Sequence, residues 1–438
     1  MASHSSTATE TEKQDIEALP GPEGNKSEPR DAASIDEEKN NNTEPLNRIE
    51  TSQSDIGHPK ELWKEIIFIT VVCMAQFMTQ VGLGMGIVPA HIIGTSFGVS
   101  SDPGELSWFA AAYSLTVGTF ILISGRMGDM WGHRRMFVIG FLWFAVWSML
   151  AGFSVWSNRV FFDCCRALQG IGPAMLLPNG VAIFGRTYRP GLRKAMAFSL
   201  FGATAPGGYI TGGAFSSIFA QLVWWPWGYW VMAMVCVLFA GLGLLVIPHI
   251  PVPRSEDDDL PVFERLDALG STTGVIGLVL INFSWNQAPL VGWKEPYVYV
   301  ILIVGFLALF AFAFIERSAK CPLLPRSIFT GDLAWVLSCV VAGWSSMGIV
   351  VYYFYQFMLV IKNDTPLLAT AKFSGASISG AIASVTTGIL LGVVRPSVIM
   401  FCSMSAFTIG ICLIATLPVN QIYWAQAFVA SIVTPWGM

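Results

Sequence analysis

Charged side chains are scarce in this sequence. Asp, Glu, Lys and Arg make up 12% of its 438 residues, against about 25% in a typical soluble domain, whereas 53% of the residues are hydrophobic and the mean hydropathy is +0.57. The acidic residues concentrate in the first sixty positions and at 255–259, so the net charge of −4 does not indicate an acidic partner. The composition excludes a soluble domain, argues against nucleic-acid binding and predicts a polytopic membrane protein.

Cysteine and histidine are also few, and neither has the spacing of a metal site. The eight cysteines stand singly or, at Cys164 and Cys165, side by side within apolar runs, which is typical of small packing residues, and the five histidines are dispersed. The catalytic patterns H-E-x-x-H and G-x-S-x-G are absent. We therefore expect no metal, no cofactor and no enzymatic activity.

Residues 1–60 contain almost no aromatic side chains and are rich in Ser, Thr, Glu, Asn and Lys. Such a segment cannot bury enough apolar surface to offset its ordering entropy, so we predict a disordered cytoplasmic tail. It contains no basic stretch followed by an apolar run, so we expect no cleavable signal peptide, and the first membrane span must act as the targeting signal.

Apolar stretches of about 20 residues, each long enough to cross a bilayer as a helix, recur from Ile66 onward. We predict twelve spans, at 66–89, 106–124, 136–153, 160–184, 195–218, 228–247, 267–287, 297–315, 333–358, 367–391, 396–417 and 422–438.

The basic residues of the connections orient these spans. With the amino terminus in the cytoplasm, thirteen fall inside, namely Arg126, Arg134, Arg135, Arg186, Arg189, Arg193, Lys194, Arg254, Arg265, Arg317, Lys320, Arg326 and Arg395. Only Arg159, Lys294 and Lys362 fall outside. This bias predicts a multi-pass protein with a cytoplasmic amino terminus, for which we expect the plasma membrane or, alternatively, the vacuolar membrane.

A charged stretch, GRMGDMWGHRRMF at 125–137, separates the second and third spans. Its glycines permit a tight turn and the approach of another helix. Asp129 can pair with Arg134 or Arg135, or can lie at the positive end of a neighbouring helix, for which the eleventh span at Pro396 is the candidate. A turn with ordinary membrane anchors is the alternative interpretation.

This stretch resembles the signature between helices 2 and 3 of the major facilitator superfamily, with Met127 in the place of a leucine. The matching residues are Gly125, Asp129, Gly132, Arg134 and Arg135. The stretch RALQGIGPA at 166–174 resembles the superfamily's helix 4 signature at Arg166, Gln169, Gly170 and Gly172.

A third stretch, GATAPGGYITGG at 202–213, resembles the helix 5 antiporter motif, although Ala205 stands where a glycine usually precedes the proline. QLVWWPWGYW and LINFSWNQAP are similar to the fungal aminotriazole-resistance branch of the fourteen-spanner drug:proton antiporters. The resemblance covers residues 60–438. It implies that the fifth span seals the pathway between two halves and favours exchange.

The fifth span also has a direct physical interpretation. Glycine costs about 1 kcal/mol and proline about 3 kcal/mol in a helix in water, so Gly202, Pro206, Gly208 and Gly212 need a reason. Gly208 and Gly212 form a small-xxx-small face for close helix contact, and Pro206 is a candidate kink. Packing alone is the alternative to a role in exchange.

An internal repeat predicts the architecture. The first span begins near Ile66, 59 residues before the charged turn at Gly125, and the ninth begins near Ala334, 58 residues before GVVRPS at Gly392. We therefore expect an all-α major facilitator fold of two pseudo-symmetric helical halves, at 61–248 and 331–438, separated by a linker and an inserted helix pair at 249–330. The lengths of the two halves indicate a parent fold of fourteen helices, of which this sequence contains about 12. We therefore expect the carboxy-terminal half to lack its last two helices.

The fourth predicted span contains a cationic side chain, Arg166. Arg166 lies near the outer end, where a guanidinium is costly unless it is paired, and Asp163 shares its helix face at i and i+3. A simple ion pair is one interpretation. The other is a proton site in which Arg166 tunes the carboxylate between conformations, with Gln169 beside it.

Polar side chains near the midplane are candidates for substrate binding, because such groups are costly in lipid. They are Gln76, Gln80, Asn179, Tyr352 and Gln356. Hydrogen bonds between helices are the alternative use for them.

Together these features predict a monomeric carrier that exports small toxic or drug-like molecules in exchange for protons by alternating access, without covalent chemistry. A nutrient uptake carrier or facilitator, or a transport-inactive fragment, is the alternative.

Overall fold

The computed structural model describes residues 61–100, 102–249, 260–324 and 331–437. These ranges belong to one compact unit. The tail predicted at 1–60 and the acidic stretch at 255–259 lie outside the described residues.

The described ranges fold into fourteen α-helices. They are α1 (Leu62–Ile87), α2 (Ala90–Phe97), α3 (Pro103–Trp131), α4 (His133–Phe153), α5 (Arg159–Thr187), α6 (Leu192–Leu222), α7 (Pro226–Val246), α8 (Val262–Arg265), α9 (Ala268–Val291), α10 (Pro296–Glu316), α11 (Asp332–Gln356), α12 (Pro366–Leu390), α13 (Pro396–Ala415) and α14 (Ala427–Val433). Short 3-10 turns follow α4 and α14, and a π turn follows α11. The predicted all-α architecture is confirmed.

Local sequence signals explain where several helices begin. The side chain of Asp102 accepts hydrogen bonds from the backbone N–H groups of Gly104 and Glu105 at the start of α3, where Pro103 takes the first position. Asn158 caps α5 in the same way, and Thr365 caps α12 ahead of Pro366. These side chains accept hydrogen bonds from backbone N–H groups that have no partner in the first turn of a helix. Proline suits the first helical position because it has no N–H group that would need a partner.

Ten of the helices in the described ranges are long and apolar enough to cross a membrane. Two of the twelve predicted spans differ. The fifth, α6, is 31 residues long, but its many Gly, Ser and Thr residues lower its hydropathy. The twelfth was expected at 422–438, whereas α14 begins only at Ala427 and has seven residues before a 3-10 turn.

The helices α1 to α7 enclose a large apolar core. Phenylalanine rings fill much of it, with Phe109 and Phe162 meeting edge to face at 5.0 Å between ring centroids. The inserted pair, α9 and α10, pack against each other, and α9 also packs along α3. The ring centroids of Trp108 on α3 and Phe283 on α9 are 5.5 Å apart.

The helices α11 to α14 form a second helical group, which meets the first group, α1 to α7, in two places. Along α6 and α12, small residues allow close contact, and the Ser384 hydroxyl donates a 2.9 Å hydrogen bond to the carbonyl oxygen of Ser199. At the membrane end opposite the 125–137 turn lies an apolar group that we call the outer cluster. Its members are Val88, Tyr209, Phe354, Tyr355, Met358, Ala369, Phe373, Ala376 and Ala427.

Candidate transport cavity

A cavity of about 520 Å³ lies between the two helical groups. Six helices supply most of its wall, namely α1, α3, α6, α9, α11 and α12. Its volume lies within the range of about 300–1,000 Å³ typical of sites for small organic molecules. The position between two packed halves makes it the candidate site for a transported solute.

The wall of this cavity combines apolar and uncharged polar groups. Among the described residues that line it, none is Asp, Glu, Lys, Arg or His. Its polar members are Gln80, Ser107, Ser114, Tyr209, Asn286, Tyr352 and Ser377. The hydroxyl of Tyr209 is buried and has no hydrogen-bond partner among the described residues. An unpaired buried hydroxyl is costly, and this one faces the region between the two helical groups.

Two of the five predicted substrate residues reach this cavity. Gln80 and Tyr352 lie in its wall. Gln356 instead lines a second cavity of about 510 Å³, together with His91 and Tyr353. Gln76 is half-buried on α1, outside the wall of either cavity.

The structure places Asn179 away from the cavity, contrary to the prediction. Its side chain is fully buried, and its amide nitrogen donates to the carbonyl oxygens of Met175, at 2.7 Å, and Ser124, at 3.3 Å. Its Oδ1 lies 2.8 Å from Nδ1 of His133. The amide is therefore used to join α3, α4 and α5 inside one half, which was the alternative interpretation.

Several cavity residues were missed from the sequence. They are Ser107, Ser114, Tyr209, Asn286 and Ser377. A signal for α3 was present, because Ser107, Ala111 and Ser114 recur at i, i+4 and i+7 on one helix face. Asn286 gave no such signal, since it belongs to the inserted pair, outside the repeat that locates the two halves.

Arg166 is completely buried in the first half and is held by backbone oxygens. Its Nε donates to the carbonyl oxygen of Phe109 at 2.9 Å, and Nη2 donates to that of Gly82 at 2.8 Å. Nη1 donates to Oε1 of Gln169, whose own amide donates to the Ser148 hydroxyl at 2.6 Å.

Aromatic rings complete the surroundings of this guanidinium. Its Cζ lies 4.5 Å from the ring centroid of Tyr113 and 5.8 Å from that of Tyr229. Carbonyl dipoles and ring faces both stabilise a cation in a dry interior. The charge therefore joins α1, α3 and α5, and no carboxylate of the described residues is in direct contact with it.

The expected ion pair between Asp163 and Arg166 is not formed. Oδ2 of Asp163 lies 3.7 Å from Nε of Arg159, one turn earlier on α5, and Nη1 of Arg159 lies 3.1 Å from Oε1 of Glu105 on α3. Spacings of i+3 and i+4 both place side chains on one helix face, so local spacing did not decide between the two arginines. We call these three residues the acidic–Arg159 cluster.

Asp129 pairs within its own half. Its Oδ1 lies 2.9 Å from Nη2 of Arg186, in the last turn of α5, and 3.4 Å from Nε2 of His133. The predicted partners were Arg134, Arg135 or the first turn of α13. Because α3 and α5 run side by side in the same direction, their last turns bring Asp129 and Arg186 together.

The other signature residues of this turn have separate roles. Arg134 donates to the backbone oxygen of Leu244, and Arg135 is exposed. Gly132 links α3 to α4 at a φ of 97°, in the left-handed region that favours glycine. Gly125 faces Pro178 on α5, which allows the two helices to approach.

The small residues of α6 face two helices. A Cβ atom at Gly208 would overlap the carbonyl oxygen of Phe77, and one at Gly212 would overlap that of Val81, so both need glycine for contact with α1. On the other side, Gly202 faces Ser384 and Pro206 faces Gly380, both on α12. The predicted close-packing face is confirmed, and α6 lies between the two halves.

Comparison with known proteins extends this picture. The family model "Major Facilitator Superfamily" matches residues 66–438. The chain is 58% identical over 380 residues to the "Low affinity ammonium transporter" of Saccharomyces cerevisiae, an alignment that covers 87% of this chain and 74% of the relative. It is 47% identical to "Efflux pump terJ" of Aspergillus terreus, covering 88% of this chain and 74% of the relative.

More distant relatives support the same fold. The "Aminotriazole resistance protein" of Saccharomyces cerevisiae is 35% identical, with 86% of this chain and 69% of the relative covered. The crystal structure of the peptide transporter POT in complex with sulfate superposes with a TM-score of 0.55 at 15% identity, covering 84% of this chain and 79% of that chain. The relatives that match are membrane transporters and not enzymes. The chain therefore belongs to the major facilitator superfamily of multi-pass membrane transporters.

Proposed function

We propose that this protein exports small uncharged or weakly basic organic molecules in exchange for protons, by alternating access of the 520 Å³ cavity to the two sides of the membrane. The observation that supports the proposal most is the position of this cavity between the two halves, with a wall of aromatic, aliphatic and uncharged polar groups. Gln80 and Tyr352 are proposed as substrate-binding residues within it.

The chemistry of the wall favours a particular class of solute. A fully charged molecule that enters a cavity without a counter-ion loses its hydration without an ion pair in return. An amphipathic molecule can keep hydrogen bonds with Gln80 and Tyr352 while its apolar part contacts Trp344 and Phe373. Aromatic nitrogen heterocycles such as aminotriazole have this combination, and one relative is named for resistance to that compound.

Export is supported by the relatives that are named efflux pumps and by the helix 5 motif. In the proposed cycle, the small residues of α6 keep the interface with α1 and α12 tight while the halves reorient. Gly202, Pro206, Gly208 and Gly212 are thus conformational residues in this proposal.

For proton coupling we propose the acidic–Arg159 cluster as the protonation site. One guanidinium lies between two carboxylates, so either Glu105 or Asp163 can take up a proton while the other still neutralises Arg159. Both side chains are largely shielded, with 24% and 16% of their surfaces exposed. Arg166, one turn further along α5, and Gln169 hold α5 in register with α3 in this proposal.

Transport in inside-out vesicles tests the proposal. Vesicles with an acidic lumen should accumulate radiolabelled aminotriazole, and collapse of the pH gradient should abolish the accumulation. Glu105→Gln together with Asp163→Asn should remove the dependence on the gradient, whereas Glu295→Gln, at an exposed carboxylate outside the cluster, should not. Accumulation that is indifferent to the gradient in the parent protein overturns proton coupling.

Ammonium is a second candidate solute, because the relative with 58% identity is named as a low affinity ammonium transporter. Carbonyl, amide and hydroxyl oxygens accept hydrogen bonds from ammonium, and aromatic faces attract cations. Uptake of ¹⁵N-ammonium by cells without other ammonium carriers separates the two. Growth on limiting ammonium without aminotriazole resistance favours this candidate and contradicts export of drug-like molecules.

We also propose a cytoplasmic amino terminus, on the basis of the thirteen basic residues on one side of the predicted spans. The plasma membrane and a monomeric carrier are further parts of the proposal. An epitope tag at the amino terminus should be inaccessible to antibody in intact cells and accessible after permeabilisation.

A further inference from the structure

We infer that Asn286, on the inserted helix pair, is part of the solute-binding surface and accepts a hydrogen bond from an N–H or O–H group of the solute. The inference rests on the proposed function and adds to it a wall residue from outside the two halves. It gives the inserted pair a direct part in substrate selection.

The packing of α9 directs Asn286 toward the cavity. Phe283 and Leu290 lie three residues before and four residues after it, so all three share one helix face. Phe283 meets Trp108 of α3, and Leu290 packs against Gly104 of the same helix. Asn286 lies between these two contacts and joins Ser107 in the cavity wall. Its neighbour Trp285 points away and is 61% exposed.

The hydrogen bonds of Asn286 fix the orientation of its amide. Nδ2 donates to the backbone oxygen of Asn282 at 2.9 Å and to Oδ1 of Asn282 at 2.8 Å. A backbone carbonyl only accepts, so the atom that faces it must be the amide nitrogen. Both N–H groups are thereby used within α9, and Oδ1 remains as an acceptor without a donor among the described residues.

With Oδ1 of Asn286 as an acceptor, the cavity favours solutes that carry a hydrogen-bond donor. Ammonium and aminotriazole both carry N–H groups, so the same oxygen serves either candidate. Loss of one uncharged hydrogen bond weakens binding by about twofold to tenfold. A solute without a donor should be indifferent to the change.

Thiol labelling tests the placement independently of transport. In the full-length chain, Asn286→Cys should react with a water-soluble methanethiosulfonate reagent, as measured by mass spectrometry of the peptide that contains residue 286. With the protein in lipid vesicles, Trp285→Cys should not react, because its side chain points outward from a membrane-spanning helix into lipid, which excludes a water-soluble reagent. An Asn286→Cys variant that resists the reagent, or a Trp285→Cys variant that reacts equally, overturns the inference and leaves the proposed function intact.

Kinetics test the hydrogen bond. For whichever of ammonium and aminotriazole the parent protein carries, Asn286→Leu should raise KM by about twofold to tenfold, with a maximal rate close to that of the parent. Asn286→Gln should restore part of the affinity. Asn282→Leu is the matched control, because the backbone oxygen that orients Asn286 remains, and its KM should change by less than about twofold.

The outcomes distinguish a failure of the inference about Asn286 from a failure of the proposed function. A purely structural role for the Asn282–Asn286 pair predicts equal effects of the two leucine variants, and that result overturns the inference. A parent protein that carries neither solute refutes the proposed function, and the labelling experiment then decides the place of Asn286 in the cavity.

Discussion

At the scale of single residues, Arg166 shows how one half of this protein holds an intramembrane charge through backbone carbonyls, an amide oxygen and aromatic rings. We expect Arg166→Met to lower the free energy of unfolding by about 2–3 kcal/mol, because it leaves the oxygen of Gln169 and two backbone carbonyls without their donor. Arg166→Lys should recover only part of this loss, since one ammonium cannot reproduce a planar fork.

Thermal unfolding of the detergent-purified protein, followed by tryptophan fluorescence, measures this change. Arg135→Met, at an exposed position, is the control and should unfold at the parental temperature. Equal unfolding temperatures for Arg166→Met and the parent would show that the network is not needed for stability.

The interaction partners of single charged residues could not be predicted from the sequence. The importance of Asp129, Asp163 and Arg166 followed from charges placed within apolar runs, but their partners did not. Asp129 pairs with Arg186, which is 57 residues away in the chain and becomes a neighbour only through the packing of α3 on α5. Partner choice therefore depends on tertiary packing, which local spacing does not encode.

At the scale of elements, α6 offers a sharp test of close helix packing. Gly208→Ala should destabilise the protein by about 1–3 kcal/mol, because its Cβ overlaps the carbonyl oxygen of Phe77. Gly207→Ala is the matched control one position earlier, where the nearest atom to a Cβ is a ring carbon of Phe77 at 3.9 Å. It should be neutral or stabilising, since alanine favours the helix.

Unfolding temperatures and the amount of folded protein in the membrane distinguish the two variants. If both alanines are tolerated equally, α1 and α6 do not depend on glycine at position 208.

The positions of the helices were more predictable than the interaction partners of their side chains. Hydropathy located the spans, and the Gly and Pro pattern identified α6 as unusual before its neighbours were known. The contribution of α9 was not predictable, because the repeat assigns the inserted pair to neither half. The late start of α14 was also missed, since an apolar run through Tyr423 and Trp424 does not distinguish a helix from an apolar loop.

At the scale of the whole molecule, the outer cluster separates two cavities. Tyr209 and Phe373 line the central cavity, whereas Phe354 lines the second one with His91. Between them Tyr355 is completely buried, and its ring centroid lies 5.9 Å from that of Tyr209 and 5.5 Å from that of Phe373.

We therefore expect Tyr355→Ala to open a passage between the cavities. A Ser107→Cys reporter in the central cavity should then react several-fold faster with an impermeant thiol reagent added on the side of the α1–α3 connection. Tyr353→Ala is the control, because that side chain is 61% exposed and outside the cluster. Equal labelling rates in both backgrounds would show that other contacts close the cavity.

The contact between α6 and α12 has a further consequence for the speed of the carrier. Gly202, Gly380, Ser384 and Gly388 have few side-chain rotamers or none, and Pro206 is rigid. Two helices that meet through such residues can shear past each other without waiting for large side chains to exchange rotamers. We therefore expect low friction at this surface. We expect the rate of reorientation to be set instead by the separation of the aromatic rings of the outer cluster, which must exchange rotamers.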